Sequence, residues 1–266
     1  MTILQENYLP YFHQLQEATN VPFKYQTYSE IQATPEFRQR FILSLEHEEK
    51  LRWCISPSSG RMHIRLPCPK CYYAEKQADR TTLIERDASS ATFRCMCLHH
   101  GEYDITITGS ETSGYLDLNT IYRNVIKEVQ AIEDPLSLYV MVKGGDWALS
   151  TQPIDWALGI LGYSAAQVPV RMFTPQIVTE TGAKLSKSLI RNGDTSMHEV
   201  PEWILDMGKF REYYPDNYVS YLVWLTEQFL SHPRHMYRSY SYQEIIRILK
   251  NNTLSHGAPN ETTAST

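Results

Sequence analysis

Two groups of residues have types and spacings that can do chemistry. The first is Cys68-Pro-Lys-Cys71, answered further along by Cys95-Met-Cys97-Leu-His99-His100-Gly101. Two thiols three residues apart on a tight turn can reach one tetrahedral zinc ion, and a second turn can complete the ligand set. The ligands expected are Cys68, Cys71, Cys95 and His99, with Cys97 and His100 open as alternatives for the fourth. His99 stands four residues past Cys95, a spacing that works across a turn. A Cys-Pro-x-Cys turn also serves redox disulfides, but those sit at the strand-to-helix junction of a thioredoxin-like unit. Here the motif lies among short strands and faces a second thiol-rich turn, which favours a metal over a redox pair or incidental buried thiols. Such a Zn2+ would be structural, because four protein ligands leave no open position and binding contributes folding free energy directly.

The second group is Lys184-Leu185-Ser186-Lys187-Ser188. It places two ammonium groups three residues apart on a hydroxyl-bearing loop, which suits a polyphosphate whose charge must be stabilised as it moves. Solvated loops with two lysines are common, so position decides. The pentapeptide follows an apolar run ending in Gly144-Gly145-Asp146, and doubly wound sheets bind nucleotides at the carboxyl ends of their strands.

The elements that must position these groups are legible in outline. Thr34-Pro35-Glu36 is a helix start, and Phe37, Phe41 and Leu45 recur at four-residue spacing behind it. Short alternating segments over 62–66, 82–86, 92–94 and 103–107 predict small antiparallel strands around the cysteines. Beyond 118 the pattern is α/β. Ile121, Val125, Val129 and Ile132 mark a helix, 137–142 a strand, Pro153 to Gly162 a second helix, and 168–173 a second strand. Strands alternating with helices favour a parallel sheet with both faces covered. The rest is helical, with Tyr218, Tyr221, Leu222, Leu225 and Phe229 on one face and a capping box at Ser241-Tyr-Gln-Glu244 opening the last helix. The expected segments are 1–58, a zinc-binding insertion at 59–112, an α/β segment at 113–200, helices at 201–250 and a disordered tail at 251–266.

Composition bounds the function. With 266 residues, 42% of them hydrophobic, the chain can bury one large or two modest cores. A formal net charge of −5 excludes a generally basic nucleic-acid binder. Any RNA contact would need a local patch, such as Arg234, Arg238, Arg247 and Lys250 against Glu244, which a solvated helix face explains equally well. The first residues carry neither the basic region nor the apolar core of a signal peptide, and no run approaches the ~18 apolar residues of a membrane span. The thiols, four of five bunched between Cys68 and Cys97, do not read as a secreted disulfide framework, so a cytoplasmic protein without a membrane partner is expected.

Taken together, these motifs resemble the class I aminoacyl-tRNA synthetases. Lys184-Leu-Ser-Lys-Ser188 is similar to their KMSKS loop, with Leu185 for Met, and Gly144-Gly145-Asp146 to their Gly-x-Asp segment beside ATP. The order of the Cys-Pro-x-Cys turn, the second thiol turn, the Gly-x-Asp segment and the lysine loop resembles the class I lysyl-tRNA synthetases over about two thirds of the chain. The resemblance implies a partial Rossmann-like parallel sheet and ATP-dependent amino-acid activation. ATP with Mg2+ and an amino acid would be the ligands, and tRNA a further partner. Lys184, Ser186, Lys187 and Ser188 would be catalytic, and Gly144, Gly145 and Asp146 would hold nucleotide. The family's first, HIGH-bearing half is not matched, so it would come from a second polypeptide or from a longer form of this chain. Pro57-Ser-Ser-Gly60-Arg-Met-His63-Ile64 is only superficially similar to the HIGH-type sequence, since Arg65 stands where a glycine belongs. Trp147 and Leu118 also depart, standing where the family has a histidine and a pocket tryptophan, which puts lysine in doubt as substrate. The alternative is a non-catalytic, zinc-containing paralogue that binds RNA or a protein.

Overall fold

The computed structural model describes residues 3–74, 80–109, 115–186, 191–193, 198–215 and 218–251; Lys187, Ser188 and the tail beyond 251 lie outside them. The chain divides into two units. The first comprises Tyr25–Met141 and Trp147–Arg171, the second Met1–Lys24, Val142–Asp146 and Met172–Thr266.

The first unit is built on α2 (Tyr28–Ala33), α3 (Pro35–Ser44), α4 (Glu48–Ile55), α5 (Thr120–Ile132) and α6 (Gln152–Ile160). Thr34 caps α3 by accepting a hydrogen bond from the Phe37 amide at 3.3 Å, with Pro35 as the first helical residue. Asn119 caps α5 through the Tyr122 amide at 2.7 Å. Each cap satisfies an N–H that the first turn leaves without an intrahelical partner.

Against these helices lies an antiparallel meander of β2 (Thr82–Arg86), β3 (Ser90–Cys97) and β4 (Gly101–Thr108). Alternation along β3 buries Ala91, Phe93, Cys95 and Cys97 on one face. Phe93 stacks on Phe41 of α3, with centroids 6.1 Å apart, and Phe41 meets Tyr122 of α5 edge-on at 5.7 Å. Tyr122 is fully buried, and its hydroxyl is satisfied by Ser44 at 2.6 Å. Full burial of a side chain such as Phe41 contributes about 1.5–3 kcal/mol, so this aromatic contact is a principal tie between meander and helices. Short strands β1 (Ile64–Arg65) and β5 (Asp117–Leu118) pair antiparallel at its margin.

β6 (Val140–Gly144) and β7 (Val170–Thr174) pair as a two-stranded sheet, and no third strand joins them among the described residues. The apolar run 137–142 therefore becomes a strand only from Val140, and Leu138 and Val142 stay exposed. An apolar run of strand length reports the capacity for burial on both faces, while the cover itself must come from elsewhere.

In the second unit, α1 (Ile3–Thr19) brings Tyr11 and Leu15 onto a cluster formed by Phe210, Tyr214, Tyr218, Tyr221, Leu225, Tyr240, Ile245 and Leu249. The helices here are α7 (Glu202–Leu205), α8 (Met207–Tyr213), α9 (Tyr218–Leu230), α10 (Pro233–Met236) and α11 (Tyr242–Lys250); α8, α9 and α11 supply the cluster together with Tyr214 and Tyr240, and Trp203 and Ile204 of α7 pack against it. The Ser241/Glu244 capping box is formed in both directions, at 3.1 and 3.0 Å. β8 (Ile177–Val178) pairs parallel with β9 (Tyr240–Ser241).

The first unit also buries a charge. Glu128 of α5 is 1% exposed, and its carboxylate accepts from Arg171 of β7, whose other guanidinium nitrogen donates to Asp155 of α6. One arginine thus ties a strand to two helices. Arg171→Ala would take from buried Glu128 the guanidinium that pairs with it, a loss of about 3–5 kcal/mol. Denaturant unfolding should show that loss, whereas Arg94→Ala, which breaks an exposed pair with Asp104, should leave the midpoint near wild type.

Candidate functional site

Three thiols of the first unit, those of Cys68, Cys71 and Cys97, converge where the meander ends. β3 and β4 run in register from Ser90↔Thr108 to Cys97↔Gly101. The tight connection Leu98-His99-His100 follows directly, and Gly101 takes φ +75°, a left-handed conformation suited to glycine. Cys68 and Cys71 lie on a facing turn closed by Tyr72 N–H to Cys68 O and Cys68 N–H to Tyr73 O, both 2.8 Å. Tyr72 also has positive φ, 58°, so this turn holds a side-chain-bearing residue in a conformation rarely populated.

Ligand atoms of Cys68, Cys71, Cys97 and His100 all lie within 4.8 Å of one another. His100 Nδ1 is 3.6 Å from both Cys68 Sγ and Cys97 Sγ, and Cys71 Sγ is 3.6 Å from Cys97 Sγ. A tetrahedral zinc with ordinary Zn–S and Zn–N lengths needs ligand separations of about 3.6–3.8 Å. The residues therefore fit a metal ion such as zinc, and three sulfurs with one imidazole favour zinc over hard, oxygen-seeking cations.

Cys95 and His99, expected as ligands, are not in this group; Cys97 and His100 take their places. The reason is the strand. Cys95 shares a face with Cys97 but sits two residues back, about 6.6 Å along β3, where that face meets the aromatic core. Burial pushes the Cys95 thiol up to about 11 despite hydrogen bonds with Thr81 and Tyr103, so it is a poor thiolate. His99 instead donates its backbone amide to Cys97 Sγ at 3.4 Å and sets its ring edge-on to Tyr73. The signal in the sequence for the pair that the structure brings together is the repeated spacing: Cys97-x-x-His100 matches Cys68-x-x-Cys71.

Burial opposes ionisation of Cys68. The amides of Lys70 and Cys71, with the thiols of Cys97 and Cys71, outweigh it and bring Cys68 down to about 6. For Cys71 the Tyr73 amide favours ionisation, but desolvation, the neighbouring thiols and charge on Cys68 together push it up. A cation among the sulfurs would relieve this mutual repulsion, which is why metal binding and thiol deprotonation are linked.

The second unit brings the other motif together. The loop after β8 folds back through Thr179 N–H to Ala183 O at 2.8 Å and Leu185 N–H to Ile177 O at 3.0 Å. This points Lys184 at Asp146, where its ammonium donates to Oδ2. That contact holds the Asp146 carboxyl below its ordinary range. Gly145 is required by close approach, since a Cβ there would lie 2.9 Å from the Thr174 carbonyl oxygen. Gly144, Gly145, Asp146, Lys184 and Ser186 line one cavity of about 370 Å³ with Thr174 and Gln176. Lys187 and Ser188 lie outside the described residues.

The basic stretch near the last helix is not an open cationic patch throughout. Arg238 stacks on the Tyr240 ring at 3.8 Å and pairs with Glu244 at 3.0 Å. Among the described residues no helix is long and apolar enough to cross a membrane. No protein-family model and no curated protein matches the chain.

The purified chain is expected to carry one zinc per chain by elemental analysis. Cys97→Ser should lower that content and remove the thiolate charge-transfer absorption of the cobalt-substituted protein. Cys95→Ala should keep both while lowering the melting temperature, because its sulfur fills core rather than binding metal.

Proposed function

We propose that the chain is a class I aminoacyl-tRNA synthetase-like protein acting in ATP-dependent amino-acid activation, with zinc in a structural role. The observation that carries this reading is the joining of Gly144-Gly145-Asp146 to Lys184 and Ser186 around one cavity, although 38 residues separate Asp146 from Lys184. In this reading β6 and β7 belong to a Rossmann-like half-sheet whose strand ends face nucleotide. Asp146 and the Gly144-Gly145 backbone hold ribose and base, and Lys184 with Lys187 neutralises phosphate charge. The amino-acid carboxylate attacks the α-phosphorus, the bond to pyrophosphate breaks, and pyrophosphate leaves with the negative charge the lysines stabilise. Mg2+ would accompany the nucleotide, and tRNA would accept the aminoacyl group.

Leu118 is fully buried in the first unit's core, so it cannot take the part of a pocket tryptophan. Lysine is thus not favoured over other amino acids. A HIGH-bearing partner polypeptide remains part of the reading.

The test is ATP–pyrophosphate exchange scanned over all twenty amino acids, with ATP binding measured in parallel by equilibrium dialysis. Exchange dependent on one amino acid and reduced about 100-fold by Lys184→Ala would establish activation by this chain on its own. ATP binding without exchange would point to the missing half. Absence of ATP binding would sink the reading, and RNA binding in its place would favour the non-catalytic paralogue.

A further inference from the structure

A cavity of about 790 Å³ in the first unit has no part in the metal group or in the synthetase reading. It lies along α6, whose core face is made by the fully buried Ile154, Ala157 and Leu158. Asp155 with Gly159, and Trp156 with Ile160, stand one turn apart and form two rows on another side of the helix. Those rows, Cys54 of α4 and the returning chain at Tyr163 and Val168 enclose the cavity. Small-molecule sites usually measure about 300–1,000 Å³ and are lined in the same way, by apolar and aromatic side chains with few polar groups.

Gly159 keeps the cavity open. A glycine within a helix costs stability relative to alanine, and a left-handed φ or a close neighbour ordinarily accounts for it. Neither applies here, because Gly159 has helical backbone and a Cβ there would meet nothing within 4 Å. The missing side chain leaves open space where the cavity needs a floor.

The distribution of charge selects the ligand. The Tyr163 hydroxyl donates to Glu133 at 2.6 Å and Cys54 Sγ to the Pro153 carbonyl at 3.3 Å, so both groups are already engaged. Asp155 is the one charged side chain of the lining. Its side chain is 43% exposed, within reach of a ligand, and Arg171 divides its guanidinium between Asp155 and the buried Glu128. A carboxylate beside the rings of Trp156 and Tyr163 attracts a cation, which aromatic faces also stabilise. The lining has no basic side chain to meet an acid group, so free amino acids and other carboxylates do not fit.

We propose that this cavity binds an organic ammonium ion with an apolar body and no acid group. The ammonium donates to the Asp155 carboxylate, and the apolar body lies over Gly159 among Trp156, Ile160 and Val168. Trp156, 65% exposed without a ligand, is then covered. The site lies within the first unit and does not depend on the nucleotide-facing cavity of the second.

The test titrates the full chain with phenethylamine, 2-phenylethanol and 3-phenylpropionate at constant ionic strength, followed by calorimetry. The amine should bind saturably and about fivefold more tightly than the alcohol, the size of a partly exposed ion pair, with the acid weakest. Asp155→Asn should remove the amine's advantage and leave the alcohol's affinity unchanged, a pattern that a damaged protein does not produce. Gly159→Leu should abolish binding of both while holding or raising the melting temperature, because leucine favours helix and fills open space. Absence of saturable amine binding, equal affinities for all three compounds, or amine binding that persists in a folded Gly159→Leu variant would overturn the proposal. If Gly159→Leu does not fold, an amine-to-alcohol ratio that is unchanged in Asp155→Asn overturns it equally.

Discussion

The register of β3 on β4 is the constraint on which the first unit depends. Because the two strands pair without slippage to Cys97↔Gly101, one face of β3 is committed along its whole length. Ala91, Phe93 and Cys95 meet the helices, and Cys97 emerges at the end beside the turn that carries His100. A slip of one residue would turn Phe93 away from Phe41 and take Cys97 away from Cys68 together. Core and metal group are therefore set by the same hydrogen-bond ladder, and neither can be changed without the other.

The second unit solves a different problem, that of holding a cation and an anion near a shared cavity on short pieces of chain. The backbone bonds of 177–185 give the lysine loop its direction, and the Gly144-Gly145 pair lets the Asp146 segment lie against Thr174 without a clash. Both partners are substantially exposed, so Lys184–Asp146 adds little to stability. Its effect is positional, since it fixes the loop that carries Lys184 beside the Asp146 segment. Contrast Arg171 and Glu128 in the first unit, where burial makes the pairing structural and the loss of one partner severe.

Helix starts and apolar stripes were legible in the sequence because their causes are local. Thr34-Pro35, Asn119 and the Ser241/Glu244 box act within three residues, and Phe37, Phe41, Val125 and Val129 mark buried faces by helical spacing alone. The meander strands were legible for the same reason, through alternation. The thiol turns were visible as a pattern able to bind a metal, and the Lys184 loop and Gly144-Gly145-Asp146 stood out as two segments, which the structure joins at one cavity. The strand at 137–142 was visible as an apolar run, but its exposure was not, since cover is supplied by partners remote in sequence.

What the sequence determined by itself is the stock of local devices: caps, alternations, tight thiol turns and a cationic loop. Tertiary structure decided which members of each group meet. Cys95 and Cys97 are equivalent as residue types, and only the distance along β3 from core to turn makes one a packing group and the other a candidate ligand. Arg94 and Arg171 likewise look alike in the sequence. Three-dimensional packing gives Arg171 two carboxylates, one of them buried, and leaves Arg94 in an exposed pair with Asp104, because charge pairing depends on distance in space and not along the chain.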